Sequence, residues 1–287
     1  MTPAGLSNRP PVGLNAVREV SRAITAAHLF IYLAPEAAEE AAKLGVTDHG
    51  QGGPTYFAFR SAAMGAVPWQ VTLATFYNFP PRQVQAMTGV WDAASPGHWQ
   101  AARFVVAARA LQRAGVSLTA DDVGEARSLL DPVVAGADYA GKTLAAANAS
   151  VALPPDPLVA LWQQITVLRE WRGDAHLVVL ADDRLSPSDC NVIQTATGRL
   201  PAALARATRH WDDKEWAAAT ARLVARGWLN TDGTVTDVGT AAREQIEVET
   251  DEHCAELWAP IGDAGARRLA SLVAPIADAF TAAGTPT

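Results

Sequence analysis

The stretch Leu223-Val-Ala-Arg-Gly227-Trp-Leu229-Asn-Thr-Asp232-Gly233-Thr-Val-Thr236-Asp-Val-Gly239 reads as the end of one helix, a tight hairpin and the start of another. Gly227 supplies the stop, because glycine takes the left-handed conformation that closes a helix without strain. Asp232-Gly233 is a pair that two-residue hairpins favour. Upstream, Asp212-Asp-Lys-Glu215 has the logic of a capping box, an acidic cap followed three residues on by a carboxylate. It opens the helix that Gly227 ends. Further back, Ser186-Pro187 sets a capping residue before a first-turn proline and starts a helix to about Ala196. A short helix from Leu200 to Thr208 lies between the two. After the hairpin come a long helix, Val238 to Trp258, and another from Gly262 to Ala283. Helix, helix, helix, small β-wing and long helix is the winged-helix plan.

Residues Leu185 to Ala241 resemble the MarR family in pattern. Leu185-Ser-Pro-Ser-Asp189 opens the second helix and Leu223 to Leu229 closes the recognition helix. Thr236-Asp-Val-Gly239 stands where that family has Leu-Thr-x-x-Gly after its wing. The whole chain is similar to an actinobacterial tandem (SalK-like) helix-turn-helix family. The segments that carry this are Tyr56-Phe-Ala-Phe-Arg60, Leu144-Ala-Ala-Ala-Asn148, Leu168-Arg-Glu-Trp-Arg-Gly-Asp-Ala-His176 and Ala225-Arg-Gly-Trp-Leu229. That family usually has His at position 171 and Gly at 175, where this chain has Trp171 and Ala175. The resemblance implies a mainly α chain whose winged-helix units pair through terminal helices, and it implies a small-molecule sensor.

The first half reads as helices too. They run from about Ala16 to Tyr32, Thr55 to Met64, Pro68 to Tyr77, Pro81 to Trp91, Pro96 to Ala114 and Asp121 to Val134. His49-Gly-Gln-Gly-Gly-Pro54 is a turn-rich break, and Leu153-Pro-Pro-Asp-Pro157 is a stiff Pro-rich linker. A helix from Pro157 to about Leu180 opens the second half. The expected organisation is a flexible start at 1–15, a degenerate winged-helix-like unit at 16–150, a linker at 151–157 and a MarR-like unit at 158–287.

The halves resemble each other in the same order. Ala27-His28 matches Ala175-His176, Phe79 to Val84 resembles Arg199 to Leu204, Leu111 to Gly115 matches Leu223 to Gly227, and Asp122 to Ala126 matches Asp237 to Ala241. About 28 extra residues follow the first histidine, roughly Glu36 to Ala63, and the first half has almost no room for a wing. Two fused, diverged copies would make an intrachain pseudo-dimer, leaving a monomer or a weak homodimer. The cleft between diverged copies is asymmetric and suits a ligand.

Composition narrows the classes. The chain has 287 residues, is 49% hydrophobic and carries a formal charge of −7, so it can bury a core and needs a local basic patch to hold DNA. No apolar run reaches a membrane span. Met1 to Asn15 lacks a charged start followed by an apolar block, so no secretory signal is expected. Cys190 and Cys254 make no disulfide framework, and a reduced, cytoplasmic setting is expected.

The recognition helix argues against tight DNA binding. Asp212, Asp213 and Glu215 crowd the end that would approach DNA, and Ala217, Ala218, Ala219 and Ala221 offer little to read bases with. The wing carries Asp232 and no basic residue. Lys214, Arg222 and Arg226 are the weak candidates for DNA contact, and Arg199, Arg206 and Arg209 keep the same weak reading open, although scattered arginines more often form a solvated face.

The candidate ligand site gathers His28, Tyr32, Tyr56, Arg60, Trp69, Asn148, Arg169, Asp174 and His176. His28 and His176 are equivalent in the repeat, so both are expected at one cavity. Asp174 can set an imidazole's tautomer. The charged run Arg169, Glu170, Arg172 either forms internal ion pairs or grips an anion. The aromatic-rich first half suits a flat, partly apolar metabolite. No cofactor is expected from the motifs, although a haem or metal on His28 and His176 stays open. Three readings follow: a ligand-binding winged-helix regulator with weak or lost DNA contact, an enzyme or haem/metal protein using the same cavity, and a conventional repressor.

Overall fold

Caps and prolines decide where many of the helices begin. The computed structural model describes residues 12–47 and 53–284. Helix α1, Leu14–Leu29, runs into a tighter turn at Phe30–Tyr32 and is followed by α2, Pro35–Lys43, and α3, Pro54–Ser61. Then come α4 (Trp69–Phe76), α5 (Pro81–Gln85), α6 (Val90–Ala93), α7 (Pro96–Arg113), α8 (Ala120–Gly136) and α9 (Thr143–Ala149). The second half holds α10 (Pro157–Asp182), α11 (Pro187–Ala196), α12 (Ala202–Arg209), α13 (Asp213–Ala225), α14 (Asp237–Trp258) and α15 (Gly262–Ala282). Ser95 caps α7, and Asp156 caps α10 through the Leu158 and Val159 amides. Ser186 with Asp189 and Asp212 with Glu215 form capping boxes on α11 and α13.

Helix α10 is the centre. Residues from Val159 to Leu168 are buried almost without a break, which a helix shows only when neighbours surround it. Those neighbours are α1, α7, α8, α9 and α14. Helices α1 and α15 lie along each other, with Phe30 and Phe280 stacked at 3.9 Å. The main core therefore takes side chains from both ends of the chain. A smaller core joins the end of α10 to α11, α13 and Ile246, with Tyr77 of the first half packed on it. Among the described residues no helix is long and apolar enough to cross a membrane.

Three sequence expectations change. Residues 12–15 of the expected flexible start belong to the fold: Val12 is buried, the Gly13 amide donates to Asp263, and α1 begins at Leu14, while 1–11 lie outside the described residues. The turn expected at His49 to Pro54 also falls largely outside them. Helices α2 and α9 had not been expected. The inward face of α2 is marked by Glu36 and Glu40, paired with Arg113 and Arg109 of α7, rather than by apolar residues. The β-wing is reduced to one antiparallel bridge, Leu229 with Val235, and no strand forms among the described residues. Asp232 takes the Thr234 amide and hydroxyl itself, a local bond that competes with a longer ladder.

The ends of α7 and α13 are built alike. Gly115 and Gly227 both adopt positive φ, 66° and 72°. The amides of Val116 and Trp228 return to the carbonyls of Leu111 and Leu223, and Thr119 and Thr236 then cap the next helices. At the second site the chain folds back so closely that a Cβ on Gly239 would stand 2.1 Å from the Trp228 carbonyl oxygen. That approach explains the glycine of Thr236-Asp-Val-Gly239. Gly239→Ala is expected to cost about 1–3 kcal/mol through overpacking against backbone, read as a lower denaturation midpoint. An unchanged midpoint would refute the close approach.

Candidate functional site

Helical spacing on α10 sets Glu170, Asp174 and Leu177 along one stripe, with Arg169, Gly173 and His176 beside it, and all six border a cavity of about 610 Å³. Opposite, α3 contributes Thr55, Tyr56, Phe59 and Arg60. The end of the first helical segment adds Leu29, Tyr32 and Leu33, and α4 adds Thr75 and Phe76. The remaining wall is the α12 region, where Leu200, Leu204 and Thr208 recur every fourth residue and Arg209 follows. The volume is that of a small-molecule site.

The polar centre is Glu170, which is fully buried. Arg60 donates to it twice, Nε to Oε1 at 3.0 Å and Nη2 to Oε2 at 2.7 Å, and Arg169 Nη1 donates to Oε2 at 2.6 Å. Burial presses the carboxyl toward its neutral form, but the charges of Arg169 and Arg60 outweigh that and hold it well below the usual carboxylate range. Arg60 also donates to the Tyr56 hydroxyl at 2.9 Å and lies 4.5 Å over the Phe76 ring. Tyr32, Tyr56 and Phe79 continue the aromatic wall by edge and tilted contacts.

The two histidines share a bonding pattern and differ in position. His28 Nδ1 lies 3.1 Å from Thr166 Oγ1, whose own hydroxyl donates to the Trp162 carbonyl, so the ring carries its proton on Nδ1. His176 Nδ1 lies 2.9 Å from Thr250 Oγ1, whose hydroxyl donates to the Ile246 carbonyl. His176 borders the cavity. His28 stands behind its wall, fully buried and stacked on Trp162, with Nε2 sealed and 4.0 Å from Glu170 Oε1. Burial keeps both rings neutral, lowering His176 to about 4 and His28 well below its ordinary range. Among the described residues no group of three or more His, Cys, Asp or Glu side chains stands together as a metal site.

Asp174 borders the cavity and accepts the Leu144 and Ala145 amides at 3.0 Å, fastening the start of α9 to α10. Burial pushes its carboxyl up to about 6 despite those two donors. Asn148 and Trp69 lie outside the lining. Asn148 instead accepts from Arg103 at 2.9 Å, and Trp69 packs at the edge of the main core. Of the charged run, Arg172 turns away to Glu247 and Asp251 of α14.

Two cations at or near the site were not expected there from the sequence. Arg209 was read as a weak DNA candidate or part of a solvated face, yet it lines the cavity 4.6 Å over Phe79 and, among the described residues, bonds Thr208 Oγ1 alone, with a buried, unpartnered Nε. Arg103 is fully buried behind Tyr32, 4.8 Å over Trp162, and forms no ion pair among the described residues. The four-residue spacing Leu200, Leu204, Thr208 was the signal for an inward α12 face beside Arg209. Arg103 is hidden by the apolar run that follows it.

The residues named for DNA are all exposed, and two of them are engaged in local bonds. Arg222 donates to Asp189, Ser186 and Ser188, and Arg226 to the Asp183 carbonyl while lying over Trp228. Lys214 is exposed on α13 beside exposed Asp213, Ala217, Ala218 and Ala221. The start of α13 is held by the first half: Arg82 donates to both Glu215 oxygens and to the His210 carbonyl.

A model of a helix-turn-helix family matches residues 17–286, and the chain belongs to that family. No curated protein matches the chain, and no solved structure does.

Glu170→Gln removes the negative charge that Arg60 and Arg169 share and replaces one of its two acceptor oxygens with a donor. Breaking a buried ion pair from one side costs about 3–5 kcal/mol. Denaturant unfolding is expected to show a loss of that size. A loss under about 1 kcal/mol would mean that the cluster behaves as an exposed pair.

Proposed function

We propose that this protein is a ligand-responsive, MarR-like member of its family in which α12 and α13 are the helix-turn-helix pair and direct DNA contact is weak. The observation that carries the reading is the cavity wall. The same α12 that leads into α13 closes one side of the ligand space with Leu204, Thr208 and Arg209. A molecule filling the cavity then bears on the position of the pair.

The order α11, α12, α13, single bridge, α14 supports the MarR-type reading. The matching ends of α7 and α13, the threonine caps that follow them and the two His–Thr–carbonyl chains support a duplication. On that reading 16–150 and 158–287 are diverged copies joined by the Pro-rich linker, and the tandem arrangement stands in for a dimer within one chain. Two buried free thiols, Cys190 and Cys254, suit a reducing compartment such as the cytoplasm.

Weak DNA contact follows from charge. The exposed face of α13 carries Lys214 among alanines, with Asp213 at its start, and Arg82 binds Glu215 back to the first half. Few phosphates can be neutralised, and affinity for DNA scales with that number. Fluorescence anisotropy with the DNA upstream of its own gene tests this. The expected result is weak binding that disappears between about 50 and 200 mM salt. Tight, sequence-specific binding at physiological salt would support a conventional repressor instead.

A further inference from the structure

Charge inside the cavity does not balance. Arg60, Arg169 and Arg209 line it, and Arg103 lies one side chain behind, bonded to Tyr32. Against these, among the described residues, stand two carboxylates, Glu170 and Asp174. Glu170 is saturated by Arg60 and Arg169, and Asp174 is committed to the amides of Leu144 and Ala145. Among the described residues Arg209 has no acidic partner, while the exposed arginines nearby do: Arg206 pairs with Asp213 and Arg222 with Asp189. A guanidinium kept partly buried without a counter-ion, while its neighbours on the surface are paired, is a site prepared for an anion from outside.

The rest of the lining fixes the body of that anion. Tyr32, Tyr56, Phe76 and Phe79 supply ring faces and edges, and Leu200 with Leu204 supplies aliphatic cover on the α12 side. Arg209 lies over Phe79, so the cation is held at the margin of the aromatic wall. Taking the cavity as a ligand site, we infer that it takes an organic anion whose acidic head group bonds Arg209, with Arg169 near it, and whose apolar body packs on Tyr56, Phe76 and Phe79. Carboxylate, sulfonate and phosphate head groups all match a guanidinium fork.

Two fluorescent probes that differ only by an acid group separate this assignment from the cavity reading beneath it. They are 1-anilinonaphthalene-8-sulfonate and its uncharged parent N-phenyl-1-naphthylamine, each titrated into the full chain and into R209Q. Circular dichroism and the unfolding midpoint confirm that the variant is folded. If R209Q does not fold, R169Q replaces it in the same titrations. The expected result is saturable binding of the sulfonate at one site, weakened by about tenfold or more in the variant, with the neutral probe unchanged. Equal binding of both probes, indifferent to the substitution, overturns the anion assignment and leaves the cavity as an apolar site. Failure of both probes to bind overturns the cavity reading as well.

Discussion

A single buried carboxylate holds the ligand space together. Glu170 sits on the central helix with no exposure and accepts Arg60 from α3 and Arg169 from its own helix. Removing three such charges from water costs several kcal/mol per ion unless each finds geometry this close. The cluster therefore fixes α3 against α10, and with α3 come Tyr56 and Phe59. Asp174, one turn further along α10, fastens α9 in the same way through backbone amides. The cavity is what remains between helices tied by these polar bonds on one side and by the apolar core on the other.

Helix α12 has two faces with different duties. Ala205 and Thr208 are buried, Leu204 and Arg209 border the cavity, and Arg206 turns outward to Asp213 and lies over Trp216. Its C-terminal end is held by the first half, where Gln83 donates to the Thr208 carbonyl and Trp211 to the Asn78 carbonyl. The segment 78–83 thus touches the cavity through Asn78 and Phe79, the end of α12 through Gln83 and the start of α13 through Arg82. Any coupling between ligand and helix pair has a short physical path, one helix and one loop.

Much of the helical order was legible because its signals are local. Ser95-Pro96, Ser186-Pro187 and Asp212 with Glu215 act within one turn, and Gly115 and Gly227 close helices by their own conformational freedom. The site was legible in part. Tyr32, Tyr56, Arg60, Arg169, Asp174 and His176 meet at one cavity because helical spacing placed five of them on two helix faces. His28 was expected beside His176 from the repeat alone, but equivalent helix positions do not share one environment. Trp162 and Thr166 hold His28 inside the core, whereas His176 is held by Thr250 at the cavity edge. Arg209 was missed as a cavity residue because Asp212 and Asp213, three and four residues on, make it read as a surface cation, and Arg103 because an apolar run follows it. The wing failed because one aspartate side chain consumed the bonds a ladder needs.

The central claim is that occupying the cavity changes the freedom of α12. Hydrogen exchange of the amides in 202–209 tests it directly, with the full chain free and with a bound cavity probe. The account predicts that exchange in α12 slows on the order of tenfold on binding, while α15, which contributes no residue to the cavity, is unaffected. Unchanged exchange in α12 with the probe demonstrably bound would contradict it.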